Sequence, residues 1–500
     1  MGNSLPSSPS RKKSLQVAPK IKAEDNPWYL LATLYGVPEE ENHALQERNR
    51  IAWNRYFAAN LDDESRAQLI GQRRHPVEEL AAFPPEELQE VATAFAERCK
   101  ALANKPALPP SDADIDFSNV DFEYNASFEQ YLFGRYSFFR SATFTDGAHF
   151  NGATFTNEAD FAGGATFTFL ADFDGAVFSR EANFSDATFV SGADFVDVTF
   201  SDIANFRGAT CCNAKFNGAI FSRVAQFSDA NFSEVAGFNG AAFSDLADFG
   251  GAIFSDRAEF VRATFSRGAI FKNATFKYAI FKSAVFLDGA KFADATFQGL
   301  SLFVDAKMKT STSFEGATFK TVPPQFFGVE LHEGTIWPAY KYWPTPKKGD
   351  KVQEFVRAYE CLKAEMDRLK RHEDELDFFA LELQSRVLLG RWEWGLPIAL
   401  YGLLSDYGRS YARPLYALFA VAAVGALVLL LSGAVVPWQS LWLSIANTLN
   451  VFGFRKDFFD SHYIENLPAA LKILAAIQTI LGAILLFLFG LGIRNKFRMK

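Results

Sequence analysis

One segment near the C-terminus holds residues that could act on an ion. Ser440–Leu449 reads as a short, half-polar helix, and Asn447, Thr448, Asn450, Val451, Phe452, Gly453, Phe454 and Arg455 lie at its end or just beyond. Backbone carbonyls turned inward can replace the water shell of a cation, and a glycine such as Gly453 leaves that backbone accessible. Arg455 opposes this, because its fixed positive charge would sit at a cation site. The segment is therefore a candidate pore or re-entrant loop. A less selective or anion-tolerant pore, or a plain connection dipping into the membrane interface, both remain open. Other chemistry is missing from the chain. It has no Gly-rich phosphate loop, no HExxH and no CxxC pair, and His43, His75, His149, His332, His372 and His462 are scattered without ligand spacing. No catalytic, cofactor-binding or metal-binding residue is expected, and the chain does not read as an enzyme.

Two flanking elements must hold such a loop. Leu415–Val436 carries no charge, and residues 473–493 have only Gln478 and Thr479 as notably polar members. Each is long enough to cross a bilayer and apolar on every side, so residues 413–500 are expected to form a two-transmembrane region with spans 415–436 and 473–493. Arg409 and Arg413 precede the first span, and Arg494, Lys496 and Arg498 close the second. The positive-inside rule then puts both termini in the cytoplasm. The order of span, connection and span is similar to that of two-transmembrane ion channels, whose connection is a re-entrant pore helix followed by a filter of the type Thr-Val-Gly-Tyr-Gly. Gly453 matches one glycine and Phe454 the aromatic, while Arg455 stands where the second glycine would be. That resemblance implies a homo-oligomer.

Ahead of this region, phenylalanine recurs every five or six residues from Phe117 to Phe319, usually two residues after alanine. Of 38 such slots, 36 are Phe; Cys211 and Met308 fill the others. The intervals do not match the i, i+3, i+4, i+7 pattern of a helix, and Ser, Thr, Asn, Asp and Gly between the slots are turn formers. A short period over about 200 residues means a solenoid. Its interior is expected to stack Phe144, Phe155, Phe189, Phe195, Phe206, Phe232, Phe249 and Phe265 among others, each burying about 1.5–3 kcal/mol of apolar free energy. Ala193-Asp194-Phe195, Ala204-Asn205-Phe206 and Ala247-Asp248-Phe249 closely resemble the unit of the pentapeptide-repeat family. The resemblance implies a mainly β fold: a right-handed, parallel, quadrilateral β-helix of roughly nine to ten turns. Here alternate repeats gain a residue, making a turn nearer 22 residues than 20 and changing the shape of the coil. Together with the C-terminal region, the arrangement is similar to bacterial pentapeptide-repeat membrane proteins with an ion-channel-like end.

The remaining boundaries follow composition. Residues 1–24, polar and without the apolar core of a secretory signal, read as a disordered tail. Residues 25–105 read as an N-terminal helical cap, 111–321 as the β-helix, 322–349 as an aromatic, Pro-rich connector, and 350–412 as one long charged helix and an interfacial segment. Four cysteines without a pairing pattern suggest a reducing compartment. Charge is uneven. Residues 111–206 hold 16 acidic against three basic residues, while 262–320 hold nine basic against four acidic, among them Lys272, Lys277 and Lys282. A basic end near the membrane would be drawn to anionic lipid. The leading expectation is a non-enzymatic, membrane-anchored scaffold displaying an acidic solenoid to an unidentified cytoplasmic protein partner. It would be multi-pass in the inner membrane of a bacterial cell, with the lipid bilayer itself as the other partner. An oligomeric channel with the solenoid as sensor is the alternative, and DNA mimicry, known among soluble relatives that bind gyrase, ranks third. Nucleic-acid binding is not expected.

Overall fold

The computed structural model describes residues 20–38, 42–71, 74–389, 392–460 and 467–498. The chain divides into two compact units, residues 1–295 and 296–500. A parallel β-solenoid of about nine turns is flanked by N-terminal helices and a C-terminal helical region. In the first unit, nine strands beginning at Ile115, Ser137, Ala159, Ala182, Ala204, Ala225, Ala247, Ala269 and Ala290 stack in one parallel sheet, which sets a turn at 21–23 residues.

Two kinds of side alternate around each turn, and they account for the alternating steps of five and six. One kind is a Thr-Phe strand such as Thr188–Phe189. The other is an Ala-Asx strand such as Ala204–Asn205, with its Phe immediately after. Behind the second kind the chain turns tightly. The Ala187 N–H donates to the Phe184 carbonyl at 3.1 Å, and Asp186 between them has φ of +56°, as the third position of a type II turn requires. Gly208 and Gly240 occupy the same place. The other corner, for example Val190–Asp194, contains no positive φ and takes the extra residue. The Asp or Asn of the Ala-Asx strand accepts from the N–H two residues on, as in Asp172 with Asp174 and Asn205 with Arg207. These are Asx-turns, so the repeated acids have a local structural reason.

Phe rings fill the interior in columns. Phe122, Phe144, Phe167 and Phe189 stack 4.6–4.7 Å apart with planes within 3°. Rings on neighbouring columns meet edge-on, as Phe238 and Phe249 do at 5.3 Å and 87°. Phe144, Phe155, Phe189, Phe195, Phe206, Phe232, Phe249 and Phe265 are all at most 1% exposed. Cys211 lies in register between Phe189 and Phe232 and breaks one column. Burial pushes its thiol up to about 12, which keeps it protonated and inert.

Helices α1 (Pro27–Ala32), α2 (His43–Ala58), α3 (Asp63–Gly71) and α4 (Pro85–Arg98) pack at the first turn. The Trp53 indole donates to the Leu132 carbonyl at 2.9 Å, Asn54 holds both Leu132 N–H and Gln130 O, and Tyr29 meets Phe122 edge-on. The sequence assigned residues 1–24 to a disordered tail. Residues 1–19 lie outside the described residues, but Ile21–Lys22 is a strand, paired in parallel with Val120–Asp121. It is ordered because the first turn offers an open edge that a short strand can cover.

In the second unit the ladder continues past Val322-Pro323-Pro324. Phe303 stacks on Phe326 at 4.7 Å, Phe314 on Trp337 at 5.4 Å and Phe319 on Trp343 at 5.1 Å. Two helices, α5 (Val352–Arg368) and α6 (His372–Val387), close this end; Phe378 meets both tryptophans edge-on and Tyr359 meets Trp343. The single long charged helix expected over this stretch is thus a pair, broken where Lys370 adopts φ of +59°. The chain continues through α7 (Trp392–Ser405), α8 (Ala412–Leu431), α9 (Pro437–Thr448), α10 (Phe454–Phe458) and α11 (Ala469–Arg498). Helix α8 ends at Leu431, short of the expected Val436, because Gly433 turns with φ of +66° and Pro437 starts the next helix.

Candidate functional site

Helices α8 and α11 are long and apolar enough to cross a membrane, with mean hydropathy of 2.4 over 18 residues in each. Only 17% and 28% of those windows are buried, whereas the core helix of a soluble protein buries most of such a surface. Between the two sits α9. Its Ser440, Leu443, Ser444, Asn447 and Thr448 are buried, while Trp438, Leu441 and Trp442 face outward.

The buried side of α9 builds a polar cluster among otherwise apolar helices. Gln478 of α11 donates to Ser444 Oγ at 2.7 Å, and Ser444 in turn donates to the Ala422 carbonyl of α8 at 2.6 Å. Asn447 reaches Gln478 Oε1 at 3.4 Å, and the Thr479 hydroxyl donates to the Asn447 carbonyl at 3.0 Å. Two glycines make this approach close. A Cβ at Gly425 would lie 2.6 Å from Ser444 Oγ and from Gln478 Cδ; one at Gly482 would collide with the Thr448 carbonyl group. Asn447 Oδ1 is buried and has no hydrogen-bond partner among the described residues. It lies beside the last turn of α9, whose carbonyls carry the negative end of the helix dipole. Asn447 Oδ1 is thus the one buried side-chain acceptor of the cluster left open among the described residues, and a cation or a donor would satisfy it.

The candidate loop residues divide into two groups. Asn447 and Thr448 come together with Ser444, Gln478 and Thr479. Asn450–Phe452 instead form a 3-10 turn, Gly453 has φ of +83°, and Phe454 and Arg455 begin α10, so the stretch is wound rather than extended. Val451 and Phe452 are exposed. Of the basic candidates, Arg409 pairs with Asp377 at 3.1 Å and lies over the Tyr340 ring at 3.7 Å. Burial, only partly offset by Arg409, raises the Asp377 carboxyl to about 6. Arg413 meets Asp406 at 3.6 Å, and Arg498 approaches Glu375 at 4.0 Å. Arg494 and Lys496 are exposed. Lys272, Lys277 and Lys282 follow Phe271, Phe276 and Phe281, and therefore lie on successive sides of one turn of the first unit.

Sequence reasoning missed the part played by Ser444, Gly425 and Gly482. Gln478 stood out only as a polar interruption of an apolar run, and its partners come from other helices, which no local spacing reveals. Among the described residues no group of three or more His, Cys, Asp or Glu is placed to hold a metal ion. No curated protein and no solved structure gives a significant match. Residues 162–210, 216–264 and 251–296 match the family model of pentapeptide repeats, described as nine copies, so the solenoid is a pentapeptide-repeat solenoid.

Proposed function

We propose that the protein is a non-enzymatic, membrane-anchored scaffold that displays its pentapeptide-repeat solenoid in the cytoplasm to a protein partner. The observation that carries this reading is the contrast in surface. The solenoid hides its rings and shows charge and turns, while α8 and α11 leave their apolar sides uncovered. One part suits water and the other suits hydrocarbon. Arg409 and Arg413 before α8, with Arg494, Lys496 and Arg498 at the end of α11, favour cytoplasmic termini in an inner membrane. Sealed, right-side-out cells should protect residues 1–400 from added protease, and only opened cells should lose them. Cleavage from outside would rule this orientation out.

A second reading is an oligomeric channel, favoured by the half-helix α9 and its buried polar end. Conductance across a planar bilayer that disappears on replacing Asn447–Arg455 would support it, and a strictly monomeric detergent complex would refute it. DNA mimicry is weaker, because several carboxylates of the acidic stretch are already paired across turns, including Asp160 with Arg140, Asp194 with Lys215 and Asp202 with Arg223.

A further inference from the structure

Where α6, α7 and the end of α11 meet, the second unit leaves a cavity of about 290 Å³. Lys363, Arg494 and Arg498 line it, with His372 and Glu375 beside them and Leu376, Phe379 and Leu491 as apolar wall. A larger cavity, about 890 Å³, shares Phe379 and Tyr401 with it and is otherwise lined by Leu383, Leu389, Pro397 and Ile398, with Gln353 and with Arg386, whose charge Glu382 and Glu360 already hold. Both volumes are near the range of small-molecule sites. A charged compartment thus adjoins an apolar one across two aromatic side chains.

The charged compartment has a surplus of cations. Its lining carries three cations against the single carboxylate of Glu375. That carboxylate already accepts from His372 at 3.0 Å and meets Arg498 only at 4.0 Å. Glu382, outside the lining, holds Lys363. Among the described residues Arg494 has no carboxylate partner and reaches only Asn495, at 3.5 Å. Arg494 also stands at the end of the apolar run of α11, the level at which a spanning helix meets the headgroup layer.

We propose that these two compartments together hold one anionic phospholipid. Its phosphate lies between Arg494 and Arg498, and an acyl chain lies along α7 over Leu383, Leu389, Pro397 and Ile398. A free phosphate would use the charged half alone and leave the apolar half unexplained. The proposal rests on α8 and α11 being membrane spans, so the test starts with carbonate extraction of membranes carrying the full chain. The detergent-purified protein is then titrated with phosphatidylglycerol, phosphatidylcholine and inorganic phosphate, read by native mass spectrometry and thermal shift.

Phosphatidylglycerol should bind at least about tenfold more tightly than either of the others. Arg494→Gln and Arg498→Gln should each weaken it about fivefold. Lys496→Gln, on an exposed side chain outside the lining, should change it less than about twofold, and Glu375→Gln should tighten it severalfold. Lipid-free melting curves matching the parent protein show that the variants are folded. Equal affinity for the two lipids, equal loss in Lys496→Gln and Arg494→Gln, or phosphate binding as tight as phosphatidylglycerol would each overturn the lipid site and leave the spans standing. Recovery of the protein in the soluble fraction would overturn both.

Discussion

Gly482 gives the sharpest test of how α9 is seated. A Cβ added there would collide with the Thr448 carbonyl oxygen and sit 2.8 Å from its carbon, inside the 3.0 Å that real Cβ atoms essentially never breach. The obstacle is main chain at the end of a helix, which cannot swing aside, so α9 must retreat by roughly 1 Å. Retreat breaks the Thr479–Asn447 hydrogen bond and stretches those joining Gln478 to Ser444 and Asn447. Overpacking costs about 1–3 kcal/mol, and, on the proposed membrane placement, each interhelical hydrogen bond contributes about 0.6 kcal/mol. Gly482→Ala should therefore destabilise the protein by about 2–4 kcal/mol. At Gly425 the obstacles are side-chain atoms of Gln478 and Ser444, which can turn away, so Gly425→Ala should cost about 1–2 kcal/mol. Thermal unfolding of the full chain in detergent, followed by tryptophan fluorescence, measures both, since Trp438 and Trp442 lie on α9. A Gly482→Ala protein within about 0.5 kcal/mol of the parent, or Gly425→Ala as the more damaging change, would refute this packing.

Phe249→Ala should cost about 3–5 kcal/mol in a denaturant titration, because Phe249 stacks on Phe227 and Phe271 at 4.9 and 5.0 Å and the strands on either side prevent collapse. Cys211→Ala, already a gap in its column, should cost no more than about 1 kcal/mol. Burial, with Arg50 and Arg74 nearby, lowers the buried His75 to about 4 from an ordinary 6.5. Its neutral form is the folded one, so its stabilising contribution is complete above pH 6.5 and is lost as pH falls toward 4. His75→Gln should flatten that limb of the stability curve. Asp377 has the opposite sign. Its raised value means that the folded state holds the proton more tightly, so its contribution should improve as pH falls from 7 toward 4, an improvement absent from Asp377→Asn.

The ladder was legible because each repeat needs only its neighbours. A Phe slot, a small Ala and an Asx that closes its own turn are local requirements, and they recur at a spacing the eye can count. The extra residue in alternate repeats was legible as a count, but its meaning came from geometry. One corner is tightened by positive φ, at Asp186 or Gly208 for instance, and the next corner is not. The end of the ladder was harder to see. Phe326 comes seven residues after Phe319 and breaks the count, but Leu331, Trp337 and Trp343 resume steps of five and six, and the two tryptophans stack on Phe314 and Phe319, because a flat ring in the right place satisfies the column. The break at Lys370 carries no Gly, Pro or Asn to announce it, and the apolar stripe of α5 runs up to it without warning. Ile21–Lys22 is two residues long, and what fixes it is the open edge beside Val120.

The cluster at Asn447 decides between a plain anchor and something more. Anchoring requires only apolar spans, and polar groups at membrane depth are expensive and mark function more often than structure. If Asn447 and Gln478 hold the helices together, removing both should leave the protein less stable than removing either, though by less than the sum because the two share a bond. The geometry shows where such glue would be weak. Asn447 Oδ1 is buried without a partner among the described residues, and the link from Asn447 to Gln478 Oε1 is long, at 3.4 Å. Gln478→Leu takes from Asn447 Nδ2 its partner, and Asn447→Leu takes one from Gln478 Oε1 while the Gln478 amide still donates to Ser444, so each should cost about 1–3 kcal/mol, with Gln478→Leu the larger. Changing both to leucine removes the stranded groups together and should be neutral or stabilising by about 1 kcal/mol. Thermal unfolding of the two single variants and the double variant closes the cycle. A double variant less stable than either single one would show that the cluster holds the helices together, and the case for a working site at the end of α9 would fail with it.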